Sequence, residues 1–322
     1  MNTPFRFLLG LIGFLLASHL PANAAEGAAP AAPKKVLFFT KSSGFQHEAV
    51  MNKMPDGRPG YAFAVLKKLG EKNSIEFTVS KDGSLFTPEY LAGFDAYMFY
   101  TTQDLTQAKT EARGDGEPPM TAAGKEALLK AIAGGKGFIG LHSAADTFHS
   151  PGSVEPGPAR FANDGDKADP YIKMLGGEFI SHDAQQAGRL SVTDTFFPGI
   201  STVPADMGFF EEWYSFKNFA PDIHVLLVQK TSRMVGGAYA RADYPQTWVR
   251  MEGKGRVYYT SLGHREDVWN SVTFQSMLVG ALNWTLGKVD ADVTPNIAKV
   301  TPKANELPKY YTPPAAAPAT KK

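Results

Sequence analysis

Residues 135–149 read GKGFIGLHSAADTFH. A glycine pair ends what precedes. The apolar run GFIGL at residues 137–141 then stops at His142. The run is too short for a helix and continuous rather than alternating, the pattern of a strand buried on both faces. A residue just past such a strand lies at the carboxyl edge of the sheet, where open parallel sheets hold their ligands. One histidine at a strand end is usually a satisfied polar residue, so its neighbours in space decide whether His142 does chemistry.

Working outward, the same pattern repeats. KVLFFT (35–40), IEFTVS (75–80) and AYMFYT (96–101) read as further strands. YAFAVLKKLGEK (61–72) has apolar residues at helical spacing, and TAAGKEALLKAIAGG (121–135) opens on a threonine cap and closes on glycines. Strands alternating with helices imply a parallel sheet covered on both faces. The second half is less regular. LSVTDT (190–195) and HVLLVQK (224–230) look like strands, residues 246–264 read as two strands around a tight EGKG turn, and 268–287 as one long helix. The fold class expected is α/β: a doubly wound, mainly parallel, flavodoxin-like sheet in three layers, one domain over residues 34–290.

The ends differ from this core. Arg6, the apolar run FLLGLIGFLLA at 7–17 and the small residues ANA at 22–24 have the form of a secretory signal peptide over 1–24. Export is therefore expected, to the periplasm of a Gram-negative source and otherwise to the extracellular space, with no membrane span after cleavage. Residues 25–33 read as an Ala/Pro linker and 291–322 as an extended Pro/Ala/Lys tail. The composition, 43% hydrophobic and 20% charged, suits a globular protein with a substantial core. Beyond Arg6 the chain balances 32 basic against 32 acidic residues, and no Lys/Arg run builds a stripe, so nucleic acid is not an expected partner. The absence of cysteine excludes disulfides, thiolate metal sites, a thiol nucleophile and a lipid-modified cysteine anchor. Oligomeric state leaves no mark in the sequence.

Three histidines follow strands: His47 after KVLFFT, His142 after GFIGL and His264 after RVYYTSL. Their segments are far apart in the chain yet belong at one sheet edge, and His182 follows GGEFI. His149, in a Pro/Gly loop, and His224, opening a strand, do not fit and are left outside the site. The expected acidic partner lies in FFEEWYSF (209–216). Glu211 and Glu212 point to opposite faces of an extended segment, so one enters the pocket and the other is solvated or paired. Histidines and a carboxylate supply a general acid and base. They also form a ligand set for a divalent metal such as zinc with one position open, although no HExxH spacing is present. Ser143 stands one residue late for a serine-hydrolase elbow and is assigned to substrate binding, with Trp213 and Tyr214 as candidate sugar-stacking rings.

In order and spacing, KVLFFTKSSGFQH, GKGFIGLHSAADTF, LGGEFISH, EEWYSF and GKGRVYYTSLGH resemble the ThuA-like, or trehalose-utilisation, family, whose fold is similar to the class I glutamine amidotransferases. The family's recurring polar positions fall on His47, His142, His182, Glu212 and His264. Two departures are local: Glu211-Glu212 replaces the usual Asp-Glu pair, and Asp183 stands where proline often follows the histidine. The resemblance implies a small carbohydrate as partner, with links to trehalose and to keto-sugar intermediates. An enzyme of this kind is a hydrolase, lyase or isomerase. Because His142 occupies the elbow where amidotransferases carry cysteine, glutamine hydrolysis through a thiol is excluded. A non-catalytic carbohydrate-binding protein using the same pocket is the alternative.

Overall fold

The computed structural model describes residues 32–109, 112–153, 155 and 157–311. The expected signal peptide, most of the linker and the last part of the tail lie outside these residues. In chain order the strands are β1 (Lys34–Phe39), β2 (Ile75–Ser80), β3 (Ala96–Phe99), β4 (Gly137–Leu141), β5 (Glu178–Ser181), β6 (Gln186–Val192), β7 (Asp206–Glu211), β8 (Ser215–Lys217), β9 (His224–Lys230), β10 (Tyr244–Glu252) and β11 (Gly255–Thr260). The helices are α1 (Tyr61–Asn73), α2 (Pro88–Ala92), α3 (Ala122–Ala133), α4 (Pro170–Leu175), α5 (Glu266–Asn270), α6 (Val272–Thr285) and α7 (Ile297–Val300).

Within the described residues, nine strands form one sheet in the order β2-β1-β3-β4-β11-β10-β9-β6-β7, and β5 pairs with β8 in a separate ribbon. The five strands from β2 to β11 run parallel. The four pairings from β11 to β7 are antiparallel. The sheet is therefore mixed, and the expectation of a mainly parallel sheet is corrected. Part of the reason is local: β10 and β11 are joined by a tight two-residue turn, far too short for the crossover a parallel pair requires.

Of the parallel strands, β1, β3, β4 and β11 bury both faces, with alternate residues going to opposite layers, while β2 is a partly exposed edge. Val36, Phe38, Met98, Ile139 and Tyr258 pack in one core with α1, α5 and α6. Leu37, Phe39, Tyr97, Phe138 and Tyr259 pack in the other with α3 and α4. This layering explains why β1, β3 and β4 read as unbroken apolar runs.

Two further expectations are revised. The helix expected over 268–287 is broken at Ser271, whose extended backbone ends α5 and whose hydroxyl accepts the Phe274 N–H at 3.1 Å to start α6. The supposed extended tail is docked as far as Tyr311. Asn296 exchanges hydrogen bonds with the backbone of Val225, and Asn305 with that of Phe219. Ile297 and Ala304 are buried in the second core. No helix among the described residues is long and apolar enough to cross a membrane.

Candidate metal and acid–base site

The strand directions bring the site together. β1, β4 and β11 are parallel, so His47, His142 and His264 leave the sheet at its carboxyl edge. Counting antiparallel steps from β11 through β10, β9 and β6 returns β7 to the same direction, so Glu211 and Glu212 emerge at that edge as well. His47, His142, Glu212 and His264 each offer a ligand atom, and all four atoms lie within 4.8 Å of one another. The imidazole centroids of His47 and His142 are 5.0 Å apart, and those of His142 and His264 5.2 Å.

His142 sits at a sharp elbow with φ 42°, a conformation that side chains other than glycine seldom adopt. Two hydrogen bonds hold it. Its Nδ1 lies 2.8 Å from the carbonyl of Ser261, and its own carbonyl accepts the Tyr259 hydroxyl at 2.7 Å. A carbonyl only accepts, so Nδ1 carries the proton and Nε2 presents a lone pair. That lone pair faces Glu212 Oε2 at 3.4 Å, and it is buried without a hydrogen-bond partner. His47 Nδ1 is buried and unpartnered too.

Two acceptors facing each other in a buried site call for a positive charge between them. The spacing suits a metal. Zinc–ligand bonds of about 2.0–2.1 Å give a tetrahedron with edges of about 3.3 Å. Glu212 Oε2 lies 3.4 Å from His142 Nε2, and its Oε1 lies 3.6 Å from His264 Nε2. The cluster is thus capable of coordinating a divalent metal.

The electrostatics favour neutral rings at His47 and His264 and an ionised Glu212 carboxylate. Burial, reinforced by the imidazoles of His142 and His264, pushes His47 well below its ordinary value. Burial likewise lowers His264 to about 4, against the opposing pull of Glu212. Burial alone raises the Glu212 carboxyl, but His142, His264 and His182 outweigh it and hold it well below the usual carboxylate range.

The other sequence candidates are placed as follows. His182 stands outside the four, with Nδ1 3.5 Å from Glu212 and a side chain 41% exposed. Tyr214 is buried and its ring lies 4.2 Å from that of His142, so it forms the wall behind the elbow. Ser143 is fully buried. Trp213 is corrected from sugar platform to core residue. Its indole has no exposed surface, lies over Gly188 and donates to the Gln186 carbonyl at 2.9 Å.

Three features sharpen or extend the sequence reading. Glu211, the glutamate expected to be either solvated or paired, is fully buried and paired. It accepts the backbone N–H groups of Gly263 and His264, both at 2.8 Å, and of Glu212 at 3.0 Å. It therefore clamps the loop that carries His264, although burial raises its own carboxyl. Gln185 is the second, with Nε2 3.4 Å from His264 Nδ1. The third is Phe45, an exposed ring at 4.9 Å from His47. The doubled glutamate and the aromatic two residues before His47 were the available signals.

His149, left outside the site, belongs to a buried ionic strut. Its Nε2 lies 2.7 Å from Asp146 and its Nδ1 3.1 Å from Glu178. Burial favours the neutral ring, but the two carboxylates outweigh it and raise His149.

A family comparison matches residues 35–285 to ThuA, described as trehalose utilisation. The chain belongs to the ThuA family. Two solved structures of ThuA-like proteins share its fold. The one from Bacteroides uniformis is 22% identical with a TM-score of 0.57, over 85% of this chain and 98% of that one. The one from Parabacteroides merdae is 17% identical with a TM-score of 0.52, over 87% and 98%. No curated protein matches the chain. ThuA membership and the absence of cysteine set this chain apart from thiol-dependent glutamine amidotransferases.

Proposed function

We propose that this ThuA-family protein is an exported enzyme acting on a sugar or keto-sugar, such as trehalose or a related glycoside, by metal-assisted acid–base chemistry. The observation that carries the reading is the facing pair of acceptors, His142 Nε2 and Glu212 Oε2, with an unpartnered His47 Nδ1 beside them. His47, His142, His264 and Glu212 would hold the ion. Such an ion supplies charge stabilisation at a carbonyl or an acidified bound water.

The chain's own groups divide the remaining work. Glu211 fixes the backbone of His264. Ser261 and Tyr259 fix the tautomer and elbow of His142. His182 donates Nδ1–H to the Asp183 carbonyl at 3.0 Å, which leaves Nε2 to take a proton from substrate or return one. Its exposure lets that proton exchange with solvent.

The test is metal analysis of the purified protein after growth with zinc or manganese, joined to turnover assays on trehalose and 3-keto-glucosides. About one equivalent of metal is expected, with activity lost on chelation and restored on reloading. Glu212→Gln and His142→Ala should lose both metal and turnover, while His182→Ala keeps metal and loses turnover. Protein without metal whose activity survives His142→Ala overturns the reading. Sugar binding without product over long incubation selects a non-catalytic carbohydrate-binding role for the same pocket.

A further inference from the structure

Beside the cluster lies a cleft of about 650 Å³, lined by Phe45, Glu48, Gln185 and His264 and by Arg265 to Asp267. Phe45 is 70% exposed. Its loop is nonetheless braced. Ser43 N–H donates to the Thr102 carbonyl at 3.0 Å, and the Thr102 hydroxyl donates to the Phe45 carbonyl at 3.0 Å. Gly44 lies so close to the Gln103 side chain that a Cβ there would overlap it. The ring is thus held at a fixed place next to His47 with its apolar surface in water, an arrangement that covering with another apolar face would stabilise. A pyranose ring has such a face, made of C–H groups and bordered by hydroxyls.

The charge around the cleft narrows the choice. Glu48, Glu266 and Asp267 line it beside one arginine, Arg265; Glu266 is in turn paired with Arg58 at 3.0 Å and Asp267 with Arg265. That guanidinium is committed. It donates to Gln185 at 3.0 Å and to Asp267 at 2.9 Å, and it lies 5.0 Å over the Phe210 ring. No lysine is among the described residues lining the cleft. Phosphate and carboxylate ligands need an uncommitted cation.

We propose that Phe45 is the platform for a neutral pyranose ring at this site, and that the rim, whose arginines are already committed to carboxylates, selects against phosphorylated or uronic sugars. This deepens the carbohydrate reading above and rests on it.

The experiment measures binding of α,α-trehalose and trehalose 6-phosphate to the full chain by saturation-transfer NMR and calorimetry, in chelated and metal-loaded protein. Trehalose is expected to bind at least tenfold more tightly than its 6-phosphate. Phe45→Ala should weaken trehalose at least tenfold, Phe45→Trp should restore it, and Glu48→Lys should narrow the preference between the two sugars. Equal or tighter binding of the 6-phosphate, unchanged binding in Phe45→Ala, or binding of neither sugar overturns this inference and leaves the metal assignment standing. Trehalose binding on Phe45 in a protein that takes up no metal supports the inference and removes the metal from the reading above.

Discussion

Replacing Glu178 by Gln tests how the elbow segment is held. The Glu178 carboxylate is fully buried and lies 3.1 Å from His149 Nδ1. It accepts the N–H of Ser150 at 2.9 Å, its hydroxyl at 2.6 Å and the Asn218 amide at 2.7 Å. These bonds tie β5 to the segment that runs on from His142. Burial alone would raise the carboxyl, but His149, Lys217 and Ser150 outweigh it and bring it from 4.5 down to about 2. A carboxyl depressed in the folded state stabilises above its unfolded value and loses that stabilisation as pH falls. At about 1.36 kcal/mol per pH unit, the depression is worth roughly 3 kcal/mol at neutral pH, of which roughly 2 kcal/mol is gone by pH 3.

Glu178→Gln should therefore be about 3 kcal/mol less stable than wild type at pH 6, and about 1 kcal/mol less at pH 3. His149 runs the other way. Its raised value gives stability that is complete below 6.5 and lost as pH rises through the folded-state value. Both contributions are whole between the two ordinary values, 4.5 and 6.5. Urea unfolding of both proteins across pH 3 to 8 reads the effect. A stability gap that does not change with pH, or a Gln variant as stable as wild type at pH 6, would refute the argument.

Other changes give separate readouts. Ser271→Ala removes the cap that starts α6 and should cost about 1 kcal/mol, roughly 2 °C in melting temperature; an unchanged melting curve would deny the hydroxyl its role. Gly188→Ala places a Cβ 2.5 Å from the Trp213 indole and should destabilise by about 1–3 kcal/mol with a shift in tryptophan emission; wild-type emission and stability would count against the close approach. Tyr259→Phe deletes the hydrogen bond to the His142 carbonyl, so about 1 kcal/mol of stability and part of the metal affinity should go together; stability falling with metal affinity intact would separate the elbow from the site.

The parallel half of the fold was legible because β1, β3 and β4 are buried on both faces and read as apolar runs. β6 and β7 were harder to read. GRLSV and DMGFFE mix polar, glycine and apolar residues because one face of that hairpin is wet, so neither the strand limits nor the antiparallel pairing stood out. His47, His142 and His264 could be found from position alone, since a strand end in a parallel sheet has a known address. Glu212 could be narrowed to one of two by alternation, but which of the pair faces inward depends on how β7 meets the loop after β11. Trp213 and Phe45 show the limit most clearly. Both are aromatic residues close to a site residue in sequence, and only packing tells that Gly188 seats one in the core while the other stays in water. His149 was set aside for its loop setting; one buried carboxylate partner, Asp146, stands three residues before it, and the other, Glu178 of β5, reaches it through a contact that sequence does not reveal.

The counting of strand directions that gathers the four ligands has a consequence in time. His47 is supplied near the start of the described chain, Glu212 past its middle and His264 near its end, after β11 has inserted beside β4 at the centre of the sheet. Closing loops of that length is slow, and no chain that stops short of His264 holds the complete ligand set. If the finished protein takes up a metal as proposed, its capture during refolding should follow the slowest folding phase, and a chain that stops before His264 should gain no stability from added metal.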